Sequence, residues 1–379
     1  MNRLPFVVLI LVVAAAEARA CTFCSGPIRS QPTLRMRYAA AKIVAHGTLK
    51  NPRFDAADRG YTDFHFGTLL KDDAARRNAK SLVLPQYLPV IGDTPPDYLL
   101  FCEVVEGKLE PQPGLASRPA VVEYLKAAAA LDSKDPVKSL TFFFQHLDSA
   151  DATVSADAFL EFARASDAEI LKASAAFDPV KIRKLIANPD SPLERLGVYA
   201  FLLGVCGKAE DAAFLAGLLK QNPLPERTAS AFGGLLAGYI LLDPKNGWPL
   251  AATILADEKL GISVRLSAIG TVRFFQATRA AECKADVLKC CAALLPCGDL
   301  ADQAIEDLRR WGWWDLTKDV LAQFGKPTHA APLMKRGIVR YALSCMNEDA
   351  KTFVASLRQT EPKLVKDVEV MLARFEQKK

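Results

Sequence analysis

The sequence has none of the short motifs that mark the common enzyme classes. It contains no His-Glu-x-x-His pattern, no Gly-x-Ser-x-Gly pattern, no phosphate-binding loop and no dinucleotide-binding glycine pattern. The four histidines are scattered and form no local ligand pattern; they are His46, His65, His146 and His329. We therefore predict no catalytic residues, no cofactor and no metal ligands, and we expect the protein not to be an enzyme.

The sequence has no large excess of positive or negative residues, and it contains few cysteines. The chain carries 48 Lys and Arg against 43 Asp and Glu, a net charge of +5, which is too small to indicate a nucleic-acid partner. Nine cysteines among 379 residues are too few for a fold built on disulfide bonds. What is present is the balance of a folded globular protein, with 50% hydrophobic and 24% charged residues.

The N-terminus has the features of an export signal. Arg3 precedes an apolar stretch over residues 4–16, and Ala-Arg-Ala at residues 18–20 is a small-x-small cleavage pattern. We predict a signal peptide over residues 1–20 and export to the periplasm, the cell envelope or the medium. Because the mature chain would begin at Cys21, lipid attachment to that cysteine is an alternative to simple cleavage.

Later in the chain no apolar run is long enough to cross a membrane. The longest one, Phe232–Leu242, is well short of the ~20 apolar residues that a spanning helix needs. The sequence therefore predicts a buried helix there, and no transmembrane segment in the mature chain.

The period of the apolar residues changes along the chain. Four segments with a period of two are candidate strands, namely Lys42–Leu49, Tyr61–Leu70, Lys80–Leu84 and Asp97–Val105. We predict a small β domain over residues 21–115, either a barrel or a sandwich. After Pro119 the period becomes helical, and Ala and Leu become the common apolar types. We assign linking and capping helices to residues 116–150.

A repeat is visible in the helical part of the chain. A small residue recurs at intervals of 33 to 39 residues, at Ala158, Gly197, Ala231, Ala268, Ala304 and Gly337. An apolar residue follows each of them directly and again four positions later. This pattern resembles HEAT/armadillo-like repeats, which implies stacked helix pairs in an α-solenoid over residues 151–379. The predicted fold class is α+β multidomain, a small β barrel or sandwich followed by an all-α solenoid.

The β part also resembles a second family. The cluster Cys21-Thr-Phe-Cys24, the strand Ile43–Gly47 and the cysteine-bearing segment Tyr98–Cys102 are similar to features of netrin-like OB domains, including the tissue inhibitors of metalloproteinases. The resemblance implies an OB-like fold and a secreted protease inhibitor as one alternative function. Those inhibitors begin with Cys-x-Cys and this chain has Cys-x-x-Cys, so inhibition is not carried over.

Cys21 and Cys24 have the spacing of redox dithiols and of metal-binding knuckles. A redox pair requires a helix N-terminus in a βαβ unit, and a zinc site requires a second pair of ligands, which is not found nearby. We favour a structural disulfide from one of the two to Cys102. A redox or metal-handling protein that uses Cys21 and Cys24 is the alternative function from another class.

A second group of cysteines lies in the helical part. Cys283, Cys290 and Cys297 fall on one helix stripe, which predicts core packing, because free cysteine is among the most buried residue types. Cys291 lies off this stripe, where it either meets Cys345 or stays reduced. A metal site made by four thiolates is the alternative for this group.

The segment Arg309-Arg310-Trp311-Gly312-Trp313-Trp314 is the most unusual in the repeats. Tryptophan and arginine are enriched at binding hot spots, so Arg309, Arg310, Trp311, Trp313 and Trp314 are the candidate partner-binding residues. The alternative is that the three rings pack between repeats. The sequence thus predicts a non-enzymatic, exported interaction scaffold whose groove binds another protein.

Overall fold

The computed structural model describes residues 22–23, 30–91 and 95–376. The predicted signal peptide, Cys21 and Cys24 lie outside the described residues. The chain divides into two compact units, with the boundary between Ala173 and Ser174. A sheet comes first and helices follow, so the predicted α+β architecture in two parts is confirmed.

The first unit contains one antiparallel sheet. Its strands are β1 (Ile43–Phe54), β2 (Gly60–Lys71), β3 (Ser81–Leu84), β4 (Asp97–Val105) and β5 (Lys108–Ala116). The strand order is β3-β2-β1-β4-β5, and the sheet is not closed into a barrel. The four strands predicted from the period-two pattern are all present.

The fifth strand, β5, is not evident in the sequence, because it carries Pro111 and Pro113. Proline has no N–H to donate to a neighbouring strand, so it is tolerated on edge strands, and β5 is an edge strand. The turn before it is a two-residue hairpin in which Glu106 and Gly107 both have positive φ, 50° and 74°. That geometry matches the right-handed twist of paired strands.

The period-two pattern reflects burial on alternate sides of the strands. Ile43, Ala45 and Leu49 of β1 lie in one apolar cluster with Phe64 of β2 and Leu100 of β4. Successive side chains of a strand point to opposite faces of the sheet. Val44 and Phe101, which point to the other face, are also buried. Both faces of the central strands are therefore covered.

The described residues of the first unit also form five α-helices. They are α1 (Leu34–Ala40), α2 (Pro119–Ala129), α3 (Pro136–His146), α4 (Ala152–Arg164) and α5 (Asp167–Ala173). The Thr33 side chain accepts a hydrogen bond from the Met36 amide and begins α1. At the other end of α1, the Lys71 ammonium donates to the carbonyls of Tyr38, Ala39 and Ala41. Lys71 thereby ties this short helix to the end of β2.

The second unit is helical throughout its described residues. Its helices are α6 (Pro179–Ala187), α7 (Leu193–Cys206), α8 (Ala209–Leu219), α9 (Glu226–Ser230), α10 (Phe232–Leu242), α11 (Pro244–Ala256), α12 (Ile262–Leu294), α13 (Ala301–Trp311), α14 (Thr317–Leu321), α15 (Pro332–Ser344), α16 (Glu348–Thr360) and α17 (Pro362–Glu376). The long α12 bends at Arg279, whose φ of −142° is not helical. The apolar run Phe232–Leu242 is a buried helix, α10, as predicted.

The repeat pattern corresponds to burial. Every apolar residue directly after a repeat position is buried, and so is every apolar residue four positions after it. In the second unit the helices that carry the pattern contact one another in chain order, α7 with α10, α10 with α12, α12 with α13, and α13 with α15. Each helix thus covers the apolar face that its neighbour leaves open.

Glycine sets the separation of α7 and α10. A Cβ atom on Gly234 would overlap the carbonyl oxygen of Gly197, and one on Gly238 would overlap that of Ala200. The repeat position Gly197 thus lies against Gly234 of the other helix, and the lack of a side chain on Gly234 permits this contact. The prediction that small residues permit close approach is confirmed at this pair of helices but not at Gly337, where a Cβ atom would meet no atom within 4 Å.

An arginine links neighbouring helices through backbone carbonyls. Arg227 of α9 donates to the carbonyls of Ile186, Asn188, Pro189 and Ser191. These carbonyls lie at the end of α6 and in the turn after it, where a helix leaves its last acceptors without partners. A positive side chain at a helix C-terminus also complements the helix dipole. Arg227 thus fixes the turn between α6 and α7.

Among residues 22–23, 30–91 and 95–376, no helix combines the length and the apolar character that crossing a membrane requires.

Candidate partner-binding surface

The predicted tryptophan segment forms the end of one helix and the turn after it. Helix α13 ends at Trp311, and Gly312 follows with a φ of 67°. The Gly312 amide donates to the Arg309 carbonyl (3.2 Å) and the Trp313 amide donates to the Leu308 carbonyl (2.9 Å). These bonds are those of a glycine-terminated helix, in which a left-handed residue reverses the chain. The turn places Trp313 beside the last residue of the helix.

The three indole rings have different neighbours. The centroids of the Trp311 and Trp313 rings are 5.2 Å apart. Trp314 instead packs edge to face on Tyr341 of α15, at 5.0 Å. All three residues are half-buried. Trp314 therefore fits the expectation of packing between helices, whereas Trp311 and Trp313 form an aromatic pair that solvent reaches.

A single carboxylate organises the arginines beside this pair. Glu306 of α13 accepts hydrogen bonds from Arg309 (2.9 and 3.0 Å) and Arg310 (2.8 Å), and Arg340 of α15 forms an ion pair with it at 3.0 Å. Burial by itself would raise the pKa of Glu306, but the bonds and charges of the arginines outweigh it, and the pKa lies below its ordinary value. Glu306 is therefore a carboxylate at neutral pH, and it holds the guanidinium groups in place.

Another cation lies on the aromatic pair. The Lys284 ammonium of α12 lies 5.5 Å from the centroid of the Trp313 ring and 3.0 Å from an Asp315 carboxylate oxygen. Side-chain exposure is 47% for Lys284 and 67% for Arg310, so both cations are accessible. We use "Trp–Arg surface" for Lys284, Arg309, Arg310, Trp311 and Trp313.

The Trp–Arg surface offers aromatic faces and N–H donors. Such groups recognise partners by stacking, cation–π contact and charge-assisted hydrogen bonds. Sequence reasoning found the arginines and tryptophans but missed Glu306, Lys284 and Arg340. The spacing of Glu306 three and four residues before the arginines was available as a signal, whereas Lys284 and Arg340 reach the surface from other helices.

The cysteines predicted to form a disulfide are only partly described. Cys102 lies in the apolar cluster of the sheet with no exposed surface. Burial raises the pKa of Cys102 to about 12. Cys21 and Cys24 lie outside the described residues, so a bridge from one of them stays a prediction.

Four cysteines of the second unit are core residues, whereas Cys206 and Cys283 are half-buried, so the prediction of core packing is wrong for Cys283. Cys290, Cys291, Cys297 and Cys345 are buried free thiols, so Cys291 and Cys345 do not pair. Burial raises the pKa of Cys290 to about 12, and a buried protonated thiol is chemically inert. In the part of the chain that the structure describes, no group of three or more His, Cys, Asp or Glu side chains is placed to hold a metal ion. Cys283, Cys290, Cys291 and Cys297 thus form no such group.

The histidines serve local packing where their contacts are defined. His329 is fully buried, with Nε2 2.8 Å from the Leu295 carbonyl oxygen and Nδ1 2.9 Å from the Thr328 hydroxyl. On the sheet, β1 pairs His46 with Thr68 and Thr48 with His65. The two strand histidines thus occupy different register positions.

No protein-family model matches this chain, and no curated protein matches it significantly.

Proposed function

We propose that this chain is a non-enzymatic, exported interaction scaffold that binds another protein of the cell envelope through the Trp–Arg surface. The helices of the second unit are proposed to be HEAT/armadillo-like repeats. The observation that supports the proposal best is the pair Trp311 and Trp313, half-buried side by side between exposed cations.

Two tryptophans at this position are unusual for a surface that only meets water. An indole ring provides a large apolar area with little conformational entropy to lose, and tryptophan and arginine supply much of the binding energy at protein interfaces. The rings are also held before a partner arrives, because Trp313 contacts Trp311 on one side and Lys284 on another. Such preorganisation lowers the cost of binding.

The helical repeats provide the context for such a surface. Stacked helix pairs create extended faces on which side chains from several repeats meet. The Trp–Arg surface follows this principle, since Lys284 of α12 lies beside the residues of α13 and its turn. A protein partner fits the combination of aromatic faces and charge-assisted donors.

Site-specific photo-cross-linking tests the proposal. The photoreactive residue p-benzoylphenylalanine is placed at position 310 of the full chain, and at position 245 as a control, because Lys245 is exposed on α11 of the same unit. We expect an envelope protein from the source cells to cross-link at position 310 and not at position 245. Mass spectrometry identifies the cross-linked protein.

A second variant tests the role of the aromatic pair. Trp313→Ala in the position-310 background should reduce the cross-link yield by about tenfold or more, the effect of losing a hot-spot residue. Trp313→Phe should keep part of it. An unchanged yield with Trp313→Ala, or equal labelling at position 245, would exclude the Trp–Arg surface as the binding site, provided that the thermal transition shows folded protein.

A further inference from the structure

The first unit contains a pocket of about 530 Å³ that the sequence did not reveal. Helix α1 contributes one wall, and strands β4 and β5 contribute the other. The volume lies within the range of small-molecule sites, about 300 to 1,000 Å³. The pocket therefore has room for a ligand.

Apolar side chains form one side of the pocket. Met36 and Ala40 are four residues apart and so lie on the same face of α1, and Pro32 precedes them. Met36 is 41% exposed. A flexible thioether side chain is stabilised by burial and adapts to irregular shapes, so Met36 is suited to contact a ligand. Phe101 of β4 also borders the pocket, but it is only 1% exposed, because the Arg37 guanidinium contacts its ring. This wall suits an aliphatic chain.

A cation is fixed at the side of this apolar wall. The Arg37 guanidinium lies 4.1 Å from the centroid of the Phe101 ring and donates a hydrogen bond to the Pro113 carbonyl. Burial lowers the pKa of Arg37, but a guanidinium stays protonated in proteins. Pro113 occupies one of its five N–H donors. The others suit the two oxygens of a carboxylate.

A carboxylate limits the charge that the pocket accepts. Glu103 also lines the pocket and lies two residues beyond Phe101 on β4. Side chains two residues apart in a strand point to the same face, with their backbones about 6.6 Å apart. Glu103 therefore adds a negative charge to the pocket, which disfavours ligands with more than one anionic group.

We propose that this pocket binds an aliphatic monocarboxylic acid, with its carboxylate on Arg37 and its chain along Pro32, Met36 and Ala40. The match of one cation to one anion and of an apolar wall to an aliphatic tail supports this ligand class. The pocket lies in the first unit, so this proposal stands apart from the Trp–Arg surface of the second.

Calorimetric titration of the full chain with octanoate tests the proposal, with octanol and octanedioate as comparison ligands. We expect octanoate to bind with a dissociation constant below ~1 mM. Octanol lacks the charge and should bind about tenfold more weakly. Octanedioate should also bind more weakly than octanoate, and Glu103→Gln should remove that difference. Absence of octanoate binding, or equal binding of octanol, would overturn the proposal.

Two variants act on different parts of the pocket. Arg37→Met should weaken octanoate binding by about tenfold or more and leave octanol binding unchanged. Ala40→Trp keeps the arginine and fills the apolar side, so it should weaken both ligands, and it serves as the test if Arg37→Met does not fold. Arg59→Met is the matched control, since Arg59 is exposed and pairs with Asp55 away from the pocket. Unchanged octanoate binding in both pocket variants would show that the ligand binds elsewhere.

Discussion

Each unit holds an acidic side chain within its helices, and the surroundings of the two differ. Asp157 of α4 is 4% exposed and accepts hydrogen bonds from the Leu34 amide (2.6 Å) and the Tyr124 hydroxyl (2.9 Å). Glu306 of α13 is contacted by three arginines. Asp157 therefore relies on neutral donors, whereas Glu306 relies on opposite charges.

The difference gives the two carboxylates opposite pKa shifts. Burial raises the pKa of Asp157 to about 6, although the bonds from Leu34 and Tyr124 act in the other direction. At Glu306 the arginines outweigh burial, and the pKa is lowered. Neutral donors thus leave part of the desolvation cost of a carboxylate uncompensated, while several guanidinium groups compensate it. One acid opposes folding at neutral pH, and the other supports it.

The packing of the two units also differs. The apolar cluster of the first unit joins strands that are distant in the chain, such as Ile43 of β1 and Leu100 of β4. In the second unit each helix that carries the repeat packs against the next helix that carries it. Close contact between α7 and α10 depends on residues without a side chain. The units should therefore respond to different substitutions.

The largest expected effect is on the glycine contact of the second unit. Gly234→Val would place a branched side chain against the Gly197 backbone, and we expect the free energy of unfolding of this unit to fall by about 3 kcal/mol. Hydrogen exchange followed by mass spectrometry should show lost protection in peptides of α7 and α10, with the sheet unchanged.

Gly217→Ala is the matched control for Gly234→Val. Gly217 is exposed within α8, and a Cβ there would meet no atom within 4 Å. We expect a gain of up to about 1 kcal/mol, because alanine favours a helix more than glycine does. Equal effects of the two substitutions would contradict the close-packing explanation.

An intermediate effect is expected at Asp157 in the first unit. The pKa is near 4 in the unfolded chain and about 6 in the folded one. The folded state therefore binds more protons between these values, and stability should fall as the pH rises through that window. Asp157→Asn cannot ionise, so urea unfolding of this variant should lack that decrease.

Asp157→Leu separates hydrogen bonding from charge. It leaves the Leu34 amide and the Tyr124 hydroxyl without their acceptor, and we expect a loss of about 2 kcal/mol near pH 5. Stability equal to that of Asp157→Asn would show that the two hydrogen bonds contribute little.

The smallest effect is expected at Glu306. The pKa of Glu306 is lower in the folded protein than in the unfolded chain, where it is near 4. Ionised Glu306 therefore stabilises the fold at pH values above the unfolded pKa, and this stabilisation is lost as the pH falls through the folded pKa. Glu306→Gln should cost about 1 kcal/mol at neutral pH, since the side chain is partly exposed. Acid titration of the unfolding free energy should also be less steep. An increase in stability would contradict the proposed role of Glu306 in holding the arginines.

Several features of this protein could be predicted from the sequence because they depend on local periodicity. The period-two segments became β1 to β4, and the apolar run Phe232–Leu242 became a buried helix. The repeated small and apolar positions became the contacts between successive helices. Strand β5 was not predicted, because its prolines are untypical of a strand. The structure accommodates them because β5 lies at the edge of the sheet.

The Trp–Arg surface was predictable in part, from residue types within one short segment. The residues that complete it come from elsewhere, as Arg340 on α15 reaches Glu306 and Lys284 on α12 reaches Trp313. The same holds for Arg37 and Phe101, which contact each other at the pocket of the first unit. Composition and periodicity thus determined the elements and the repeat, because backbone geometry links local spacing to one face of a strand or helix. Only the tertiary structure decided which charges and rings meet, because residues far apart in sequence come into contact when the elements pack.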